Sequence, residues 1–358
     1  MGRTSPKNLT HTEHAGTGGL LTKILVTGGV GYIGSHTLIE LVAAGYEPIV
    51  VDSLANSNIE SLKRVETIIG KPIPFHHFDL RERDKLAKLF AEEAFEAVIH
   101  FAGLKAVGES VNQPLKYYEN NLTSTLLLLD VMQQYGVRQL IFSSSATVYG
   151  TPEKLPLTED STVGMGITNP YGWTKYMIEQ IIAGVCAADT SFTATILRYF
   201  NPVGAHESGL IGEDPRGTPN NLLPYVAQVA VGKRPHIMVF GDNYNTPDGT
   251  GVRDYIHVVD LARGHVAALQ HMQPGVHTYN LGTGYGTSVL ALIEAFSLAA
   301  GKKLPYQIGP RRPGDIAACY ASPIKAEREL GWKATYSIEE ACADSWRWQS
   351  ANPNGYEN

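Results

Sequence analysis

Lys23-Ile24-Leu25-Val26-Thr27-Gly28-Gly29-Val30-Gly31-Tyr32-Ile33-Gly34 is the stretch that decides the fold. Its first five residues are a short run rich in β-branched side chains, which predicts a strand. Glycines 28, 31 and 34 follow at once, and Ser35 to Ala44 carries a helical pattern. Strand, glycine turn and helix in that order are the context that gives such a spacing meaning. Gly28 allows the tight turn, Gly31 lets the backbone approach a pyrophosphate, and Gly34 permits close helix–strand packing. The phosphates would lie at the helix N-terminus, where free N–H groups and the dipole favour anions. A second strand, Pro48 to Val51, ends in Asp52, about twenty residues beyond the loop, as a ribose-binding carboxylate requires. A carboxylate there accepts both adenosine ribose hydroxyls and repels a 2′-phosphate, so the expected cofactor is NAD rather than NADP.

Outward from this unit, strand and helix signals alternate. Ile73 to Phe78 reads as a strand ending at Asp79-Leu80, and Arg81 to Ala94 as a charged amphipathic helix. Ala97 to Gly103 is a buried strand running into a small-residue loop, and Leu115 to Tyr135 is a long helix with an unusually leucine-rich centre. Gln139 to Phe142 forms the next strand, ending in Ser143-Ser144-Ser145, and Phe192 to Leu197 another. The fold class is therefore α/β, a Rossmann-type doubly wound parallel sheet with helices on both faces. Ligands of such sheets lie at the carboxyl ends of the strands. Asp52, Asp79, Phe101 to Lys105 and Ser143 to Ser145 all fall there.

Tyr171-Gly172-Trp173-Thr174-Lys175 follows a loop ending in Asn169-Pro170. The residue before a proline avoids helical angles, so a helix is expected to begin at Tyr171. A spacing of four places the phenol and the ammonium one turn apart on one face. A nearby positive charge favours phenolate, which makes the two a proton-transfer pair if a ligand is within reach. Ile178, Ile181, Ile182 and Val185 supply a buried stripe to anchor this helix. The same face, with the leucine-rich helix, is available for dimerisation.

Beyond Val203 the pattern loosens into loops rich in glycine and proline, with a helix (Leu223 to Val231), a strand (Ile237 to Phe240) and a glycine loop (Gly241 to Gly251). Two further helices bracket a short strand at Tyr279 to Leu281. The expected domains are a flexible extension over 1–22, a cofactor domain over 23–200 and a smaller mixed α/β domain over 201–358, with some return of chain to the first. Arg253 and Arg312 sit in turns suited to bidentate phosphate contacts.

With 43% hydrophobic and 18% charged residues and a net charge of −6, the 358-residue chain reads as an ordinary globular enzyme, neither a nucleic-acid binder nor a membrane protein. Residues 1–22 lack the apolar core of a signal peptide. Cys186, Cys319 and Cys342 are odd in number and scattered, which implies reduced thiols, a cytoplasmic location and no metal site.

These parts together resemble the extended short-chain dehydrogenase/reductase superfamily and, within it, the UDP-glucose (UDP-galactose) 4-epimerases. The likeness runs through Thr27 to His36, His100 to Ser110, Ser143 to Gly150, Tyr171-x-x-x-Lys175, Leu197 to Ala205 and Gly249 to His257. The glycine turn and the Tyr/Lys pair mark the superfamily; the runs around Gly103 and Asn201 are specific to the epimerases. The resemblance implies NAD contacts from Gly28, Gly31, Tyr32, Ile33, Gly34, Asp52, Asn56, Ser57, Asp79, Leu80, Phe101, Ala102, Lys105 and Asn120. It implies a catalytic group of Ser145, Tyr171 and Lys175, with Phe200 near the nicotinamide. For a UDP-sugar substrate it implies Asn201, Asn221, Leu222, Phe240, Arg253 and Arg312, the arginines meeting the diphosphate. The implied chemistry is reversible oxidation at the sugar C4 through a 4-keto intermediate that turns over before reduction. A homodimer is implied as well.

Gly314 to Tyr320 aligns with a family segment whose sixth residue borders the sugar 2-substituent. Here that residue is Cys319, small enough to leave room for an N-acetyl group, so UDP-GlcNAc and UDP-GalNAc are expected substrates beside UDP-glucose and UDP-galactose. Two alternatives share the fold. A 4,6-dehydratase or decarboxylase on it would differ in its acid and base groups. The dehydratases carry Thr-Asp-Glu after the serine strand, where this chain has Ser145-Ala146-Thr147. A non-catalytic NAD sensor need not keep the phenol, the lysine and the serine together.

Overall fold

Strand and helix alternate from Lys23 onward in the computed structural model, which describes residues 22–312 and 314–357. All but the last residue of the expected N-terminal extension therefore lies outside the described residues. The first half runs β1 (Lys23–Thr27), α1 (Tyr32–Ala43), β2 (Glu47–Asp52), α2 (Ile59–Ile69), β3 (Phe75–His77), α3 (Arg83–Glu92), β4 (Phe95–His100), α4 (Val107–Asn112), α5 (Pro114–Gln134), β5 (Gln139–Ser145), a 3₁₀ turn at Ala146–Tyr149, α6 (Pro170–Ala188) and β6 (Thr193–Tyr199). The second runs β7 (Asn201–Val203), α7 (Leu222–Ala230), β8 (Ile237–Phe240), β9 (Val252–Arg253), β10 (Tyr255–His257), α8 (Val258–Gln270), β11 (Gly275–Leu281), β12 (Thr287–Ser288), α9 (Val289–Ala299), β13 (Tyr306–Gly309), β14 (Ala318–Cys319), α10 (Ile324–Leu330) and α11 (Ile338–Ala351).

Seven strands form one parallel sheet in the order β11-β6-β5-β4-β1-β2-β3. The central strands are buried on both faces, which is why they read as unbroken apolar runs. In β1, Ile24 and Val26 join Leu38, Leu41 and Val50 on one face, while Leu25 joins Ile49, Leu128 and Leu140 on the other. That split is the two-residue period of a strand expressed as two cores. A third core gathers Leu223, Val226, Ile237, Val239, Leu292, Phe296 and Cys342 from α7, β8, α9 and α11. Among the described residues no helix is long and apolar enough to cross a membrane.

The sheet reverses direction between β1 and β4: β2 and β3 are added on one side, β5 and β6 on the other. A crevice opens outside the strand ends at such a point. Thr27 pairs with Val51 on one side and His100 on the other, so the glycine turn leaves the sheet at the centre of that crevice.

Several elements depart from sequence expectation. The helix expected from Tyr171 begins at Pro170, whose missing N–H is harmless at a first helical position. Asn169 is its cap and accepts from the Gly172 N–H at 2.8 Å. Ser143 to Ser145 lie inside β5, paired with Leu197 to Tyr199, rather than beyond its end. The strand expected at Tyr279 to Leu281 starts at Gly275 and joins the large sheet beside β6. Its first residues, Gly275, His277 and Thr278, occupy a half-buried edge, so no apolar run announces them.

Behind the serines lies a buried ionic network. Arg198 donates to both carboxylate oxygens of Glu179 at 3.1 and 2.8 Å, and to the Tyr149 hydroxyl at 2.9 Å. Ser144 donates to Glu179 at 2.5 Å, and Tyr149 donates to Asn280 at 2.7 Å. These bonds fasten α6 to β5, β6 and β11.

Candidate active site

The crevice is a cleft of about 1430 Å³, counting the space that opens to solvent. Gly28, Gly31, Tyr32, Ile33, Gly34, Asp52, Asn56, Ser57, Asp79, Leu80, Phe101, Ala102, Lys105, Asn120, Tyr171 and Lys175 all line it.

The glycine turn sits where it does for steric reasons. Gly28 has φ +71°, and a Cβ there would come within 2.7 Å of the Ala102 nitrogen. A Cβ on Gly34 would lie 2.5 Å from the Gly28 carbonyl oxygen. Any side chain at either position pushes α1 or the end of β4 away from β1. At the start of α1, the N-cap Gly31 offers no side-chain acceptor, so the first-turn N–H groups face the cleft free for an anion.

Asp52, buried at the end of β2, is fixed by three donors. Its Oδ2 accepts from the Val30 N–H at 3.1 Å, and its Oδ1 accepts from the Leu54 N–H and the Ser57 hydroxyl, both at 2.9 Å. Burial raises its pKa and the three hydrogen bonds oppose that rise. At the rim, Arg81 holds Asp79 below the usual carboxylate range. Lys105 meets Glu213 at 3.5 Å, and Glu213 also accepts from Asn221 at 3.1 Å.

Tyr171 and Lys175 project from the first turns of α6 into the inner end of the cleft. Lys175 Nζ donates to the Ser143 carbonyl at 2.5 Å, lies 3.3 Å from the Ser143 hydroxyl and sits 6.0 Å from the centre of the Tyr171 ring. Burial pushes the lysine down to about 7, with Glu179 opposing. Burial pushes Tyr171 up to about 12, and the Ser145 hydroxyl is the group that pulls it back. The lowering expected from a nearby positive charge is therefore not seen in the protein by itself. The loss of water around both groups outweighs their attraction across that distance.

Of the residues assigned to the sugar nucleotide, Tyr171 lines this cleft and Ser145 ends β5; Asn201, Phe240, Arg253 and Cys319 lie on the small sheets, Asn221 and Leu222 at the start of α7, and Arg312 in a loop. β9 and β14 pair Arg253 directly with Cys319, and Arg253 donates to Asp315 at 2.9 Å. The Cys319 thiol is raised to about 11, by burial first. Cys319 packs at the edge of a cluster that contains Phe200, Val148, Tyr149 and Leu157. The Arg312 guanidinium stacks 3.8 Å over the Phe240 ring. Asn201 pairs with Tyr255 between β7 and β10, and Leu222 opens α7.

Tyr199, Glu213, Asp214 and Tyr356 also line the cleft, and sequence reasoning had not singled them out. Tyr199 ends a strand whose carboxyl end already pointed to the site, so its position was the available signal. Tyr356 reaches the cleft from the far end of the chain, where it donates its N–H to Asp214 at 2.9 Å; no local pattern marks it.

Comparison with known proteins finds relatives along nearly the whole chain. The family model described as NAD dependent epimerase/dehydratase family matches residues 24–282. The UDP-glucose 4-epimerase of Bacillus subtilis (strain 168) is 60% identical over 337 residues, 94% of this chain and 99% of the relative. The crystal structure of UDP-glucose 4-epimerase from Bifidobacterium longum in complex with NAD+ and UDP is 59% identical, with a TM-score of 0.91, over 93% of this chain and 100% of the other. That of UDP-glucose 4-epimerase from Stenotrophomonas maltophila, with bound NAD and formylated UDP-arabinopyranose, is 50% identical with a TM-score of 0.90, over 93% and 99%.

Proposed function

Because the chain belongs to the NAD dependent epimerase/dehydratase family, and within it to the UDP-glucose 4-epimerases, we propose that it interconverts UDP-glucose and UDP-galactose by reversible oxidation at the sugar C4. It is an isomerase on this reading. The observation that carries it is the meeting of Tyr171 and Lys175 with the glycine turn and Asp52 in one cleft. The residues present fit NAD: uncapped N–H groups at the start of α1 suit the pyrophosphate, and the Asp52 carboxylate suits an unphosphorylated ribose. When bound, NAD supplies the position that takes the C4 hydride and returns it.

The chain's own residues divide the remaining work. Tyr171 accepts the proton of the sugar 4-hydroxyl and returns it after the keto group is reduced from the other face. Ser145 donates a hydrogen bond to the 4-keto oxygen, and Lys175 favours the phenolate. Arg253 and Arg312 anchor the diphosphate and leave the sugar loose enough to turn. Phe200 packs close to the reacting ring, and Asn201, Asn221, Leu222 and Phe240 complete the nucleotide-sugar side. Cys319 leaves space for an N-acetyl group, which extends the substrates to UDP-GlcNAc and UDP-GalNAc.

The reading includes a cytoplasmic homodimer. Three free thiols suit a reducing compartment, and Leu115 and Leu126 expose 79% and 49% of their surface on α5, an apolar face that a second copy would cover. An assay without added NAD tests the proposal: purified protein should convert UDP-galactose to UDP-glucose and UDP-GalNAc to UDP-GlcNAc. Absence of both conversions, with a 4-keto-6-deoxy sugar formed instead, would favour a dehydratase. Conversion of UDP-galactose alone removes the N-acetyl extension.

A further inference from the structure

Between β7 and α7 the chain runs through residues 204–221 without a helix or strand, yet its middle is built into the cleft. Gly212, Glu213, Asp214 and Pro215 line the same cleft as the glycine turn and Asp52. Arg216 follows them and reaches the loop after β2, where it donates to the Ala55 carbonyl at 2.9 Å and the Ser57 carbonyl at 2.8 Å. On the other side Glu213 meets Lys105, in the loop after β4, at 3.5 Å. β2 and β4 are the two neighbours of β1 in the sheet, so residues 212–216 tie together the loops that flank the glycine turn and span the cleft between them. None of the roles above uses Asp214, Arg216 or Tyr356.

The end of the chain holds this segment from behind. The Tyr356 hydroxyl accepts from the Gly212 N–H and donates to the Gly212 carbonyl, both at 3.2 Å, and the Tyr356 N–H donates to Asp214 Oδ2 at 2.9 Å. Gly355 has φ +72°, and a Cβ there would overlap the Asp214 carboxylate, so the turn before Tyr356 closes on Asp214 only as glycine. The Tyr356 ring is buried against Trp348, 4.7 Å between centres. Arg64 of α2 fastens both: its guanidinium lies 5.2 Å from the Tyr356 ring and 5.6 Å from the Trp348 ring. The same guanidinium donates to Asn352 Oδ1 at 2.7 Å and to the Leu210 carbonyl at 3.2 Å. Residues 212–216 are thus latched in front by Arg216 and behind by Tyr356.

We propose that Arg216 and Tyr356 are positioning residues for the cofactor: they hold residues 212–216 as a strap across the cleft, and the opening of that strap limits how fast NAD enters and leaves. The inference rests on the NAD-binding part of the reading above and not on the sugar chemistry. The Arg216 bonds are charge-assisted but only partly shielded from water, which limits what each contributes. Tyr356 is buried, and freeing Gly212 from it leaves a backbone donor and acceptor to be solvated anew. The Lys105–Glu213 pair is long and its lysine half-exposed, a weak third tie. Arg216 also has a second route to the cofactor, because Ser57 donates its hydroxyl to Asp52 at 2.9 Å. The two routes differ in kinetics. The latches contact protein alone, so they favour the closed strap equally with and without the dinucleotide, and loosening them quickens entry and release together. A disturbed Asp52 weakens binding instead.

Two measurements test this, and neither needs turnover. First, protein carrying radiolabelled NAD is mixed with excess unlabelled NAD, and loss of label is followed by gel filtration, with Kd for NAD and Tm recorded. Wild type, Arg216→Ala, Arg216→Lys and Tyr356→Phe are compared. Arg216→Ala and Tyr356→Phe should each speed release about 3- to 10-fold, the size of one or two hydrogen bonds partly open to water, with Kd within about threefold of wild type. Arg216→Lys should fall between wild type and Arg216→Ala, since an ammonium still reaches one carbonyl. Second, hydrogen–deuterium exchange in peptides covering 209–217 should quicken in Arg216→Ala and Tyr356→Phe, with exchange in β1 unchanged. Release at the wild-type rate in folded Arg216→Ala protein overturns the proposal. So does a Kd weakened by the same factor as release is quickened, which places the effect at Asp52. Faster exchange in β1 and a lowered Tm, in step with faster release, mark general loosening and overturn it too. A wild-type protein that binds no NAD would refute the cofactor reading itself, a different result from any of these.

Discussion

Lys175→Met removes one charge from the cleft and keeps the length of the side chain, so it separates two effects that the wild type combines. The first is on chemistry. At the 6.0 Å between Nζ and the centre of the Tyr171 ring, an ammonium and a phenolate attract by roughly 3 kcal/mol at an effective dielectric of about 20. That corresponds to about two pKa units on the phenol, or a rate loss of about 100-fold at a pH where the phenolate is scarce. The loss should shrink as pH rises, with log kcat climbing almost in step with pH. The second effect is on stability, with the opposite sign. The folded-state pKa of Lys175 falls from 10.5 to about 7. Below pH 7 both folded and unfolded chains carry the proton, and the cost of burying the cation is fully present. Between about 7 and 10.5 the unfolded chain binds more protons, stability rises with pH and the cost fades. Its upper bound is roughly 5 kcal/mol. Lys175→Met should therefore melt above wild type at pH 6–7, with the gap closing toward pH 10. Stopped-flow turnover at saturating NAD and thermal melts across pH check both. A variant that loses activity equally at every pH, or that melts below wild type at neutral pH, would refute the reasoning.

Other substitutions address the remaining parts of the site. Tyr171→Phe deletes the acid–base hydroxyl and should lower kcat by about 10²–10⁴-fold, with NAD content unchanged by absorbance of the denatured extract. Gly34→Ala forces a Cβ to 2.5 Å from the Gly28 oxygen; the strain should destabilise the fold by about 1–3 kcal/mol and release NAD during gel filtration. Cys319→Tyr fills the space beside Arg253 and should abolish UDP-GalNAc turnover while leaving UDP-galactose within about tenfold, a split read by kcat/KM for the two substrates.

What the sequence disclosed and what it withheld follow from how local each feature is. Gly28 and Gly34 were legible because their constraint lies within one strand–turn–helix unit: each is forbidden a side chain by backbone a few residues away or by the next strand of the sheet. Asp52 was legible for the same reason, at the end of the adjacent strand. Tyr171 and Lys175 needed only a helical period. Tyr356, by contrast, reaches the cleft through the chain's end folding back on Asp214, and the sheet's seventh strand is supplied by a segment over seventy residues beyond its partner β6. Neither has a local signature. The protonation of the catalytic pair was also hidden, because it depends on burial. A four-residue spacing predicts that phenol and ammonium are neighbours, but not that water is absent from both.

That absence of water ties cofactor retention to chemistry. Burial alone raises Tyr171 to about 12 and lowers Lys175 to about 7, so the protein by itself favours the neutral phenol and weakens the cation meant to serve it. Glu179 offsets this only in part: it favours the lysine's charge, and its carboxylate is itself paired with Arg198. The groups that remain are hydroxyls and a carbonyl, from Ser143 and Ser145, which orient the pair without changing the net charge of the cleft. A site so arranged is poor at ionising its phenol until a permanent positive charge enters beside it. The oxidised nicotinamide carries such a charge and the reduced one does not. Tyr171 would accordingly be ionised, and free to take a proton, when the sugar is to be oxidised, and would hold that proton while the cofactor is reduced, until the returning hydride makes an alkoxide basic enough to take it back. The inner end of the cleft would thus make the phenol's ionisation follow the charge of the cofactor, so that one tyrosine can act first as base and then as acid in one reversible cycle.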